Sequence, residues 1–496
     1  MAKTTTEGAG IAPEVLAKYE AVIGLEVHAQ LLTATKAFCA CSTRFGDPPN
    51  TNTCPVCLGL PGALPVLNRK ALELGQRASI ALNCEVQERS RFARKNYFYP
   101  DLPKGYQISM YELPLATGGR LEVDVAGTAK RIGITRVHME EDAAKNLHEG
   151  FDDSDRYSYI DFNRCGVPLI EIVSEPDLRT PAEAHAYLTA LKQILLYTDV
   201  SDCNMEEGSL RCDANVSVRL RGAEKFGTKA EVKNLNSFRF LQRALEHEIE
   251  RQIGVIESGG TIAQETRLYN SATGRTESMR SKEFAHDYRY FPDPDLLPVH
   301  VSTVLENDVR SAMPELPEAR RARFVSAYGL TAYDAGVLTA TRALADYFEA
   351  AVRAGAPAKI VANWISTELF ARLNEAGKEI ADSIVTPATL AALLTKIDAG
   401  EITAASGKKV FAEMFESGKA PAEIIAAGGY AQISDACAIE SVARAIVAKN
   451  AENVAKYKAG NEGVFKFFVG QVMREMRGQA NPQSVNEILK RILSES

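Results

Sequence analysis

Residues 21–31 read AVIGLEVHAQL, and from Leu25 onward every second side chain is polar. Because successive side chains of a β-strand point to opposite faces, this alternation predicts a strand with one apolar face and one face that carries Glu26, His28 and Gln30. A carboxylate and an imidazole then project side by side from a rigid element. An edge strand with a solvated polar face gives the same pattern, so this stretch alone leaves both interpretations open.

A second stretch, GSLRCDANVSVRL at residues 208–220, alternates in the same way over a greater length. It predicts a strand whose polar face carries Arg211 and Asp213, and Glu206 and Glu207 add two carboxylates immediately before it. Because two strands have charged faces, we favour a sheet with a catalytic face over an edge strand with a solvated face.

Further acids follow this pattern. Glu140 and Glu141 lie at the end of RIGITRVHMEED, and Glu171 lies inside the apolar run GVPLIEIVSEPD. A glutamate among Leu and Ile side chains is costly to bury in its charged form unless a cation or hydrogen bonds compensate. Carboxylates with one histidine suit a hard ion such as Mg²⁺, which bridges protein acids to phosphates. We therefore predict that carboxylates on these strand faces form a catalytic magnesium centre.

Four of the nine cysteines lie in FCACSTRFGDPPNTNTCPVCLGLPG at residues 38–62, with the spacing C-x-C-x12-C-x2-C. Two close pairs joined by a Pro/Gly/Asn-rich loop suit four thiolates around one tetrahedral zinc ion, namely Cys39, Cys41, Cys54 and Cys57. Since four thiolates leave zinc no open position, we expect a structural clasp at 39–57. Ordinary reduced cysteines and a redox-active pair of Cys54 and Cys57 are the alternatives.

The composition of the chain is that of an ordinary globular protein. It has 496 residues, 46% of them apolar and 24% charged, and a net charge of −7. The amino terminus lacks the apolar core of a signal peptide and no apolar run approaches bilayer length, so we expect a cytoplasmic protein without membrane contact. In that compartment an odd number of cysteines argues against a full set of disulfides. Any RNA must then bind through a local basic patch.

The texture of the sequence indicates about three domains. Residues 19–305 combine alternating stretches with Gly/Pro turns, whereas helical patterns follow, as after the helix start at Thr386 and Pro387. We predict a flexible N-terminus at 1–18, an α+β domain at 19–305, a helical domain at 306–425 and a helical tail at 426–496.

Several common catalytic motifs are absent from the sequence. It has no G-x-x-x-x-G-K-[ST] loop, no G-x-G-x-x-G fingerprint and no kinase catalytic loop, so ATP would bind in an uncommon fold. It also lacks a G-x-S-x-G elbow, and we expect no amide hydrolysis by this chain alone.

A family resemblance rests on a set of motifs spread along the chain. These are, in order, IGLEVHAQL, ARKNYFYPDLPKGYQIS, RVHMEEDAAK, NRCGVPLIEIVSEPD, MEEGSLRCDANVSVR, KAEVKNLNSF, MRSKEFAHDYRYFPDPDL and GQANPQSVNEILK. With the cysteine pairs, they resemble the B subunit of the tRNA-dependent Asp/Glu amidotransferases from residue 19 to the end of the chain. In that family, the B subunit uses ATP and Mg²⁺ to phosphorylate the side-chain carboxylate of Glu on tRNA(Gln) or Asp on tRNA(Asn). Ammonia then displaces the phosphate.

The resemblance also implies partners and a fold. In the implied heterotrimer, ammonia comes from a separate amidase, the A subunit, while a small C subunit ties the two together, and mischarged tRNA is the substrate. The implied fold is an α+β catalytic cradle with an antiparallel or mixed sheet, related to glutamine synthetase, followed by all-α helical and tail domains. An ATP-dependent amide ligase acting on a free amino acid and a non-catalytic tRNA-binding scaffold are the competing functions.

The matching motifs imply roles for individual residues. The implied Mg²⁺ and acyl-phosphate centre comprises Glu26, His28, Glu141, Glu171 and Asp213, with Arg211 steadying the transferred phosphate. Glu140, Glu206 and Glu207 are second choices, since one sequence cannot rank neighbouring acids. Phosphoryl transfer depends mainly on positioning and charge neutralisation. An unpaired acid or His28 would accept the proton that arriving ammonium must lose.

The stretch ARKNYFYPDLPKGYQIS at residues 93–109 mixes cations with aromatic rings. Arg94, Lys95, Tyr97 and Lys104 suit an adenine base, either of ATP or of the terminal nucleotide of tRNA. We assign them to nucleotide binding together with Glu206 and Glu207. An aromatic loop packed on the core is the alternative, and DYRYF at residues 287–291 has the same two interpretations.

The carboxyl-terminal tail is the electropositive end of the chain. Residues 451–496 carry seven Lys/Arg against five Glu, which leaves the rest of the chain more acidic than the whole. A solvated helix face explains this small excess equally well. The resemblance implies instead that the tail at 426–496 binds tRNA.

Overall fold

A computed structural model describes residues 11–147, 150–279, 288–430, 436–459, 461, 463–476 and 480–495. The chain divides into one unit that ends at Leu316 and a second that begins at Pro317. Among the described residues, no helix has the length and apolar character that a bilayer crossing requires.

The first unit contains the strands and five helices of the described residues. Its strands are β1 (Tyr19–Gln30), β2 (Glu85–Val86), β3 (Arg89–Asn96), β4 (Tyr106–Leu113), β5 (Ala116–Val125), β6 (Thr128–Glu141), β7 (Lys145–Leu147), β8 (Tyr159–Asp161), β9 (Pro168–Ser174), β10 (Leu210–Leu220), β11 (Ala230–Lys233), β12 (Thr266–Asn270), β13 (Arg275–Ser278), β14 (Phe291–Pro292) and β15 (Val299–His300). Its helices are α1 (Pro13–Leu16), α2 (Arg69–Ala81), α3 (Pro181–Tyr197), α4 (Phe238–Glu257) and α5 (Thr303–Ser311).

Thirteen of the described strands form one sheet. Its main path is β13-β12-β11-β10-β1-β9-β6-β4-β3-β14, while β2 and β5 join beside β6 and β15 joins β3. Among the described strands, β11 and β12 run parallel and the other pairs antiparallel. Helices α2, α3 and α4 cover one face. This mixed sheet, followed by a helical second unit, confirms the predicted α+β class.

Strand β1 lies inside the sheet and not at its edge. It pairs with β10 on one side and with β9 on the other. Leu25, Val27 and Ala29 are fully buried in the core formed with α3 and α4. Glu26 and His28 alternate with them and project from the opposite face, which we call the open face. The edge-strand interpretation of residues 21–31 is therefore excluded.

Strand β6 changes the phase of its alternation at a β-bulge. Its register with β9 shifts between Ile134 and Arg136, so Thr135 is the extra residue. Ile134 is buried before the shift, and Val137 and Met139 are buried after it. The core-facing side chains thus pass from even to odd residue numbers along one strand.

The sequence pattern places the end of the first domain at residue 305, whereas the first unit of the structure ends at Leu316. Helix α5 spans the predicted boundary, and Leu305, Met313 and Leu316 pack against the core of the sheet. The texture change marks the first helix after the sheet, but tertiary packing assigns that helix to the sheet. At the other end, Ile11 and Val15 pack near Tyr19 within the segment predicted to be flexible, and residues 1–10 lie outside the described residues.

The second unit is helical throughout its described residues. Its α-helices are α6 (Pro317–Tyr328), α7 (Ala332–Leu338), α8 (Arg342–Arg353), α9 (Ala358–Trp364), α10 (Phe370–Ala376), α11 (Pro387–Asp398), α12 (Ala404–Ser417), α13 (Pro421–Gly428), α14 (Ala436–Lys449), α15 (Ala451–Lys458), α16 (Gly463–Glu475) and α17 (Pro482–Glu495). Helix α11 starts as the sequence predicts, with Pro387 in its first turn and the Thr386 hydroxyl accepting a hydrogen bond from the Thr389 N–H. One apolar cluster joins α6 to α13 and another joins α14 to α17. The predicted tail boundary at residue 426 falls within α13.

Candidate active site

Polar side chains cross the open face in two rows, because the strand register aligns them. The first row runs across β10, β1, β9 and β6 through Arg211, His28, Glu171 and His138. The second row runs across the same strands through Asp213, Glu26, Val173 and Arg136. Residues opposite each other on paired strands share a face, so the register alone assembles the site.

Two imidazoles and two carboxylates meet at the centre of this face. His28 Nε2 lies 3.4 Å from Glu171 Oε2 and 3.7 Å from Glu140 Oε2. His138 Nε2 lies 3.1 Å from Glu171 Oε2 and 3.3 Å from Glu140 Oε1. His28, Glu140 and Glu171 each offer one ligand atom, and these atoms lie within 4.8 Å of one another. We call His28, Glu140 and Glu171 the acid centre.

The electrostatics of this centre favour ionised carboxylates. Burial opposes charge on Glu140 and Glu171, but the hydrogen bonds from His138 outweigh it and lower the pKa of both acids. Burial also opposes charge on His138, and the same two acids overcome it and raise its pKa to about 9. The pKa of His28 is raised as well, because contact with Glu171 outweighs its desolvation. The two carboxylates are therefore anions balanced by the two imidazoles, and a metal ion at this centre would displace the proton from the His28 nitrogen that binds it.

Glu26 and Asp213 lie beside the acid centre in contrasting environments. Burial, followed by repulsion from Glu171 and Glu231, raises the pKa of Glu26, although its Oε1 accepts a 2.8 Å hydrogen bond from Asn215 Nδ2. Asp213 instead forms a 2.7 Å ion pair with Lys233 Nζ. Glu26 thus lies near the centre as a carboxyl group that takes up a proton more easily than usual.

Arg211 is held on the open face by an acid that the sequence analysis did not assign. Its guanidinium lies 2.9 Å from Asp142 Oδ1, and Gln30 Nε2 donates to Asp142 Oδ2 at 2.9 Å. Asp142 is buried, so this pairing fixes the direction of a cation next to His28. Glu206 and Glu207 are exposed in the turn before β10, where their N–H groups donate to Asn204 Oδ1, and they lie outside the acid centre.

Glu141 does not join Glu140 in the structure. Strand alternation turns it to the other side, where it forms a buried ion pair with Lys104 and accepts a 2.9 Å hydrogen bond from the Ile108 N–H. These two side chains line a cavity of about 140 Å³ under the cysteine loop, together with Cys57. The structure therefore separates Glu141 from the four other acids predicted to share a metal with it.

The cations predicted to bind a nucleotide are engaged by groups of the chain itself. Arg94 pairs with Asp293 at 2.9 Å and Asp295 at 2.7 Å, and Lys104 pairs with Glu141. Lys95 Nζ lies 5.1 Å from the centre of the Tyr288 ring, and the Tyr97 hydroxyl donates to Gln107.

A second cavity, of about 340 Å³, opens on the same face beside Glu26. It lies over β1, β9 and β10, and its walls include Gly24, Glu26, Val173, Asn215, Phe226 and Lys229. Phe226 presents an exposed ring and Lys229 a cation. A cavity of this size is within the range of small-ligand sites.

The four cysteines predicted to bind zinc converge in the folded chain. Their sulfur atoms lie within 4.8 Å of one another. Lys36 is fully buried beside them, with Nζ 2.7 Å from Asn52 O, 3.2 Å from Phe162 O and 3.7 Å from Cys57 Sγ. A buried ammonium without a carboxylate partner among the described residues needs a nearby anion, and ionised thiolates supply one. Four thiolates fit zinc in a closed, structural site.

The sequence matches two protein-family models and is similar to known protein sequences along most of its length. A family model described as the GatB/GatE catalytic domain matches residues 21–306, and another described as a GatB domain matches residues 346–493. The chain belongs to the GatB/GatE family. Its relatives include proteins named as the B subunit of aspartyl/glutamyl-tRNA(Asn/Gln) amidotransferase. The protein of Geotalea daltonii is 58% identical over 472 residues, covering 95% of this chain and 98% of that protein. The protein of Carboxydothermus hydrogenoformans is 56% identical over 473 residues, with the same coverage.

The acid centre of this GatB/GatE family member fits a hard divalent cation. Its ligand atoms are two carboxylate oxygens and one imidazole nitrogen, whereas the cysteine site offers four soft sulfurs. The Nδ1 atom of His138 is shielded from solvent and has no hydrogen-bond partner among the described residues, so the polar contacts of this ring are those of Nε2 with the two acids. The assignment of zinc to the cysteine site and of magnesium to the acid centre stays a prediction.

Sequence reasoning missed several residues that shape this GatB/GatE site. His138 stands two positions before Glu140, so strand alternation would have placed it on the same face once Glu140 was known to point to the centre. Lys36, Lys233 and Asp142 gave no separate signal, because each gains its role from a partner that is distant in the sequence.

Proposed function

We propose that this chain activates the side-chain carboxyl group of Glu or Asp esterified to tRNA and amidates it with ammonia. The observation that carries the proposal is the acid centre, which lies beside a nucleotide-sized cavity on the open face of a GatB/GatE catalytic domain. The relatives are named for amidotransferase activity on aspartyl- and glutamyl-tRNA. ATP and Mg²⁺ are the proposed cofactors.

The reaction proceeds in two balanced steps. The substrate carboxylate oxygen bonds to the γ-phosphorus of ATP, and the bond from that phosphorus to ADP breaks. Ammonia nitrogen then bonds to the acyl carbon, phosphate leaves, and the nitrogen gives up a proton. Mg²⁺ held by His28, Glu140 and Glu171 would neutralise phosphate oxygens during the first step.

The remaining side chains direct charge and protons. Arg211, fixed by Asp142, points a cation along the row that contains His28 and steadies phosphate oxygens. Glu26 is our candidate acceptor for the proton that ammonia loses, because burial and neighbouring acids already favour its protonated form. His28 is an alternative acceptor only if its nitrogen does not bind Mg²⁺, and His28→Ala tests it in both glutamine-dependent and ammonia-dependent amidation. Unchanged rates in both assays would remove that role.

The adenosine of ATP fits best in the cavity beside Glu26. The cavity lies over β1 and β10, so a triphosphate attached to an adenosine bound there would extend toward the acid centre. Phe226 and Lys229 would supply an aromatic ring and a cation for the nucleotide. Arg94 and Lys104, which the sequence assigns to the nucleotide, already pair with acids of the chain. Glu206 and Glu207 remain proposed contacts at the start of β10.

The proposal includes a complex with other polypeptides. The relatives are each named as the B subunit of their enzyme, which indicates a multi-subunit assembly. A separate amidase, the A subunit, would release ammonia, since this sequence has no amidase motif, and a small C subunit would join the two. The helical tail at 426–496 would bind the tRNA backbone through a local basic surface.

The test is amidation by the purified complex with Glu-tRNA(Gln) and Asp-tRNA(Asn) in parallel. We expect Mg²⁺-dependent ATP cleavage that requires charged tRNA, and we expect Glu171→Gln to abolish it. Glu122→Gln, an exposed glutamate on β5, serves as the control. Turnover of free glutamate without tRNA would instead indicate an amino-acid ligase, and absence of ATP cleavage would indicate a scaffold.

A further inference from the structure

A stacked pair of tyrosines borders the open face on the side away from the nucleotide-sized cavity. The rings of Tyr111 and Tyr290 lie 4.1 Å apart between centroids, with 9° between their planes. Tyr288 approaches Tyr290 edge-on at 6.1 Å. We call Tyr111 and Tyr290 the tyrosine platform. Tyr111 is 45% exposed, so part of its ring is accessible to a ligand.

The platform is adjacent to the acid centre. Tyr111 lies on β4 two positions after Ser109, and the Arg136 guanidinium on the open face approaches its ring. Ser109 is opposite Glu140 in the register, and its hydroxyl donates to Glu140 Oε1 at 2.7 Å. Tyr111 is therefore about one strand spacing from the row that contains His138, roughly 5 Å.

A guanidinium with one unpartnered nitrogen accompanies the platform. The guanidinium carbon of Arg136 lies 5.7 Å from the centroid of Tyr111. Its Nε is shielded from solvent and has no hydrogen-bond partner within the described residues. Buried polar atoms without a partner are rare in folded proteins, and a bound ligand is one way to satisfy them. A ring pair with one exposed and one half-buried member, beside a guanidinium with an unpartnered nitrogen, is the chemical complement of a nucleobase and its phosphate.

The proposed reaction brings two adenosines to the open face, one from ATP and one from the 3′ end of the aminoacyl-tRNA. The open face offers a place for each. The cavity beside Glu26 lies over β10, β1 and β9, whereas the platform lies over β4, and the acid centre lies between them. From β4 to Glu171 on β9 is two strand spacings, or about 10 Å, which a ribose carrying a glutamyl ester can span. Two substrates that approach from opposite sides can thus bring a carboxylate and a γ-phosphate together at the acid centre.

We propose that the tyrosine platform, with Arg136, binds the 3′-terminal adenosine of the aminoacyl-tRNA. This inference rests on the proposed function and assigns a place to one of its substrates. Stacking on a tyrosine tolerates any base, so the platform positions the terminal nucleotide, and the identity of the tRNA is read elsewhere.

The test measures binding of a small mimic, 3′-deoxy-3′-(L-glutamylamino)adenosine, whose amide replaces the labile ester. Its inhibition constant is measured in the assembled complex against charged tRNA, together with the KM of ATP. We expect Tyr290→Leu and Tyr111→Leu each to weaken the mimic by about 10-fold, within the range of base stacking on aromatic side chains. Tyr290→Phe keeps the ring and should restore most of that loss. Tyr333→Leu, at an exposed tyrosine of the second unit, is the matched control.

The outcomes separate this inference from the function beneath it. Weaker mimic binding with an unchanged KM for ATP supports the platform. An equal rise in the KM of ATP would assign the platform to ATP and overturn the inference, and unchanged inhibition in both leucine variants would show a packing pair only. If the unaltered complex amidates neither charged tRNA, both the function and the inference fail. If it does amidate and the variants behave as the unaltered complex, only the inference fails.

Discussion

Glu140 and Glu141 are neighbours in the chain that the fold sends to opposite sides of the sheet, so one chemical change made at each should have different consequences. Glu140→Gln removes one of two carboxylates from the acid centre. A unit charge about 4 Å from another, at an effective dielectric constant near 20, contributes about 4 kcal/mol. We therefore expect Mg²⁺ affinity, measured by isothermal titration, to fall by roughly 10³-fold.

Glu141→Gln should leave Mg²⁺ affinity nearly unchanged and instead lower stability. It leaves Lys104 buried without its counter-charge, and the side chains of this pair are 7% and 3% exposed. Removal of one partner from a buried ion pair costs about 3–5 kcal/mol. Hydrogen exchange of peptides from β4 and β6 in the intact chain reports that cost. The double variant Glu141→Gln with Lys104→Met should recover most of the lost stability, since the Gln side chain can still accept a hydrogen bond from the Ile108 N–H.

The two variants control for each other, because they make the same substitution at adjacent positions. If Glu141→Gln weakened Mg²⁺ binding as much as Glu140→Gln, the division of these acids between two faces would be refuted. The same conclusion would follow if Lys104→Met failed to offset the loss of the carboxylate.

Three further predictions concern other parts of the chain. Cys54→Ser should abolish binding of one zinc ion per chain, read by elemental analysis, and should lower the temperature of inactivation; retained zinc would refute the clasp. Glu349→Gln should destabilise the second unit, because hydrogen bonds from Arg323 and Arg320 outweigh burial and lower the pKa of Glu349 to about 2. The stabilisation is present above the ordinary value of 4.5 and is lost as pH falls toward 2, so the difference between variant and parent in urea, followed by the fluorescence of the single tryptophan, should vanish over that range. Deletion of residues 426–496 should weaken binding of mischarged tRNA in filter assays while glutaminase activity of the complex persists.

Much of the architecture could be predicted from local patterns. Strict alternation in residues 21–31 fixes which side chains of β1 face the core, and the spacing of four cysteines anticipates their convergence. Glu171 could be singled out because a charged group in an apolar run requires compensation. These signals are local, and each is contained in about a dozen consecutive residues.

The choice between Glu140 and Glu141 could not be made from such patterns. Regular alternation continued from Ile134 would turn Glu140 to the core and Glu141 to the open face, but the bulge at Thr135 reverses this assignment. Partners such as Lys233 for Asp213 and Lys104 for Glu141 depend on strand pairing and loop packing far along the chain. One sequence does not specify these long-range contacts residue by residue.

The single extra residue at Thr135 constrains how this gene can change length. Loss of that codon would preserve nearly every amino acid of the strand while exchanging its two sides, so that Met139 and Glu141 would replace His138 and Glu140 at the reactive surface. Insertion of two residues, or replacement of Thr135 by another residue, would leave each side chain of the strand on its present face. Natural variation in this strand should therefore tolerate substitution far more readily than odd-numbered changes in length.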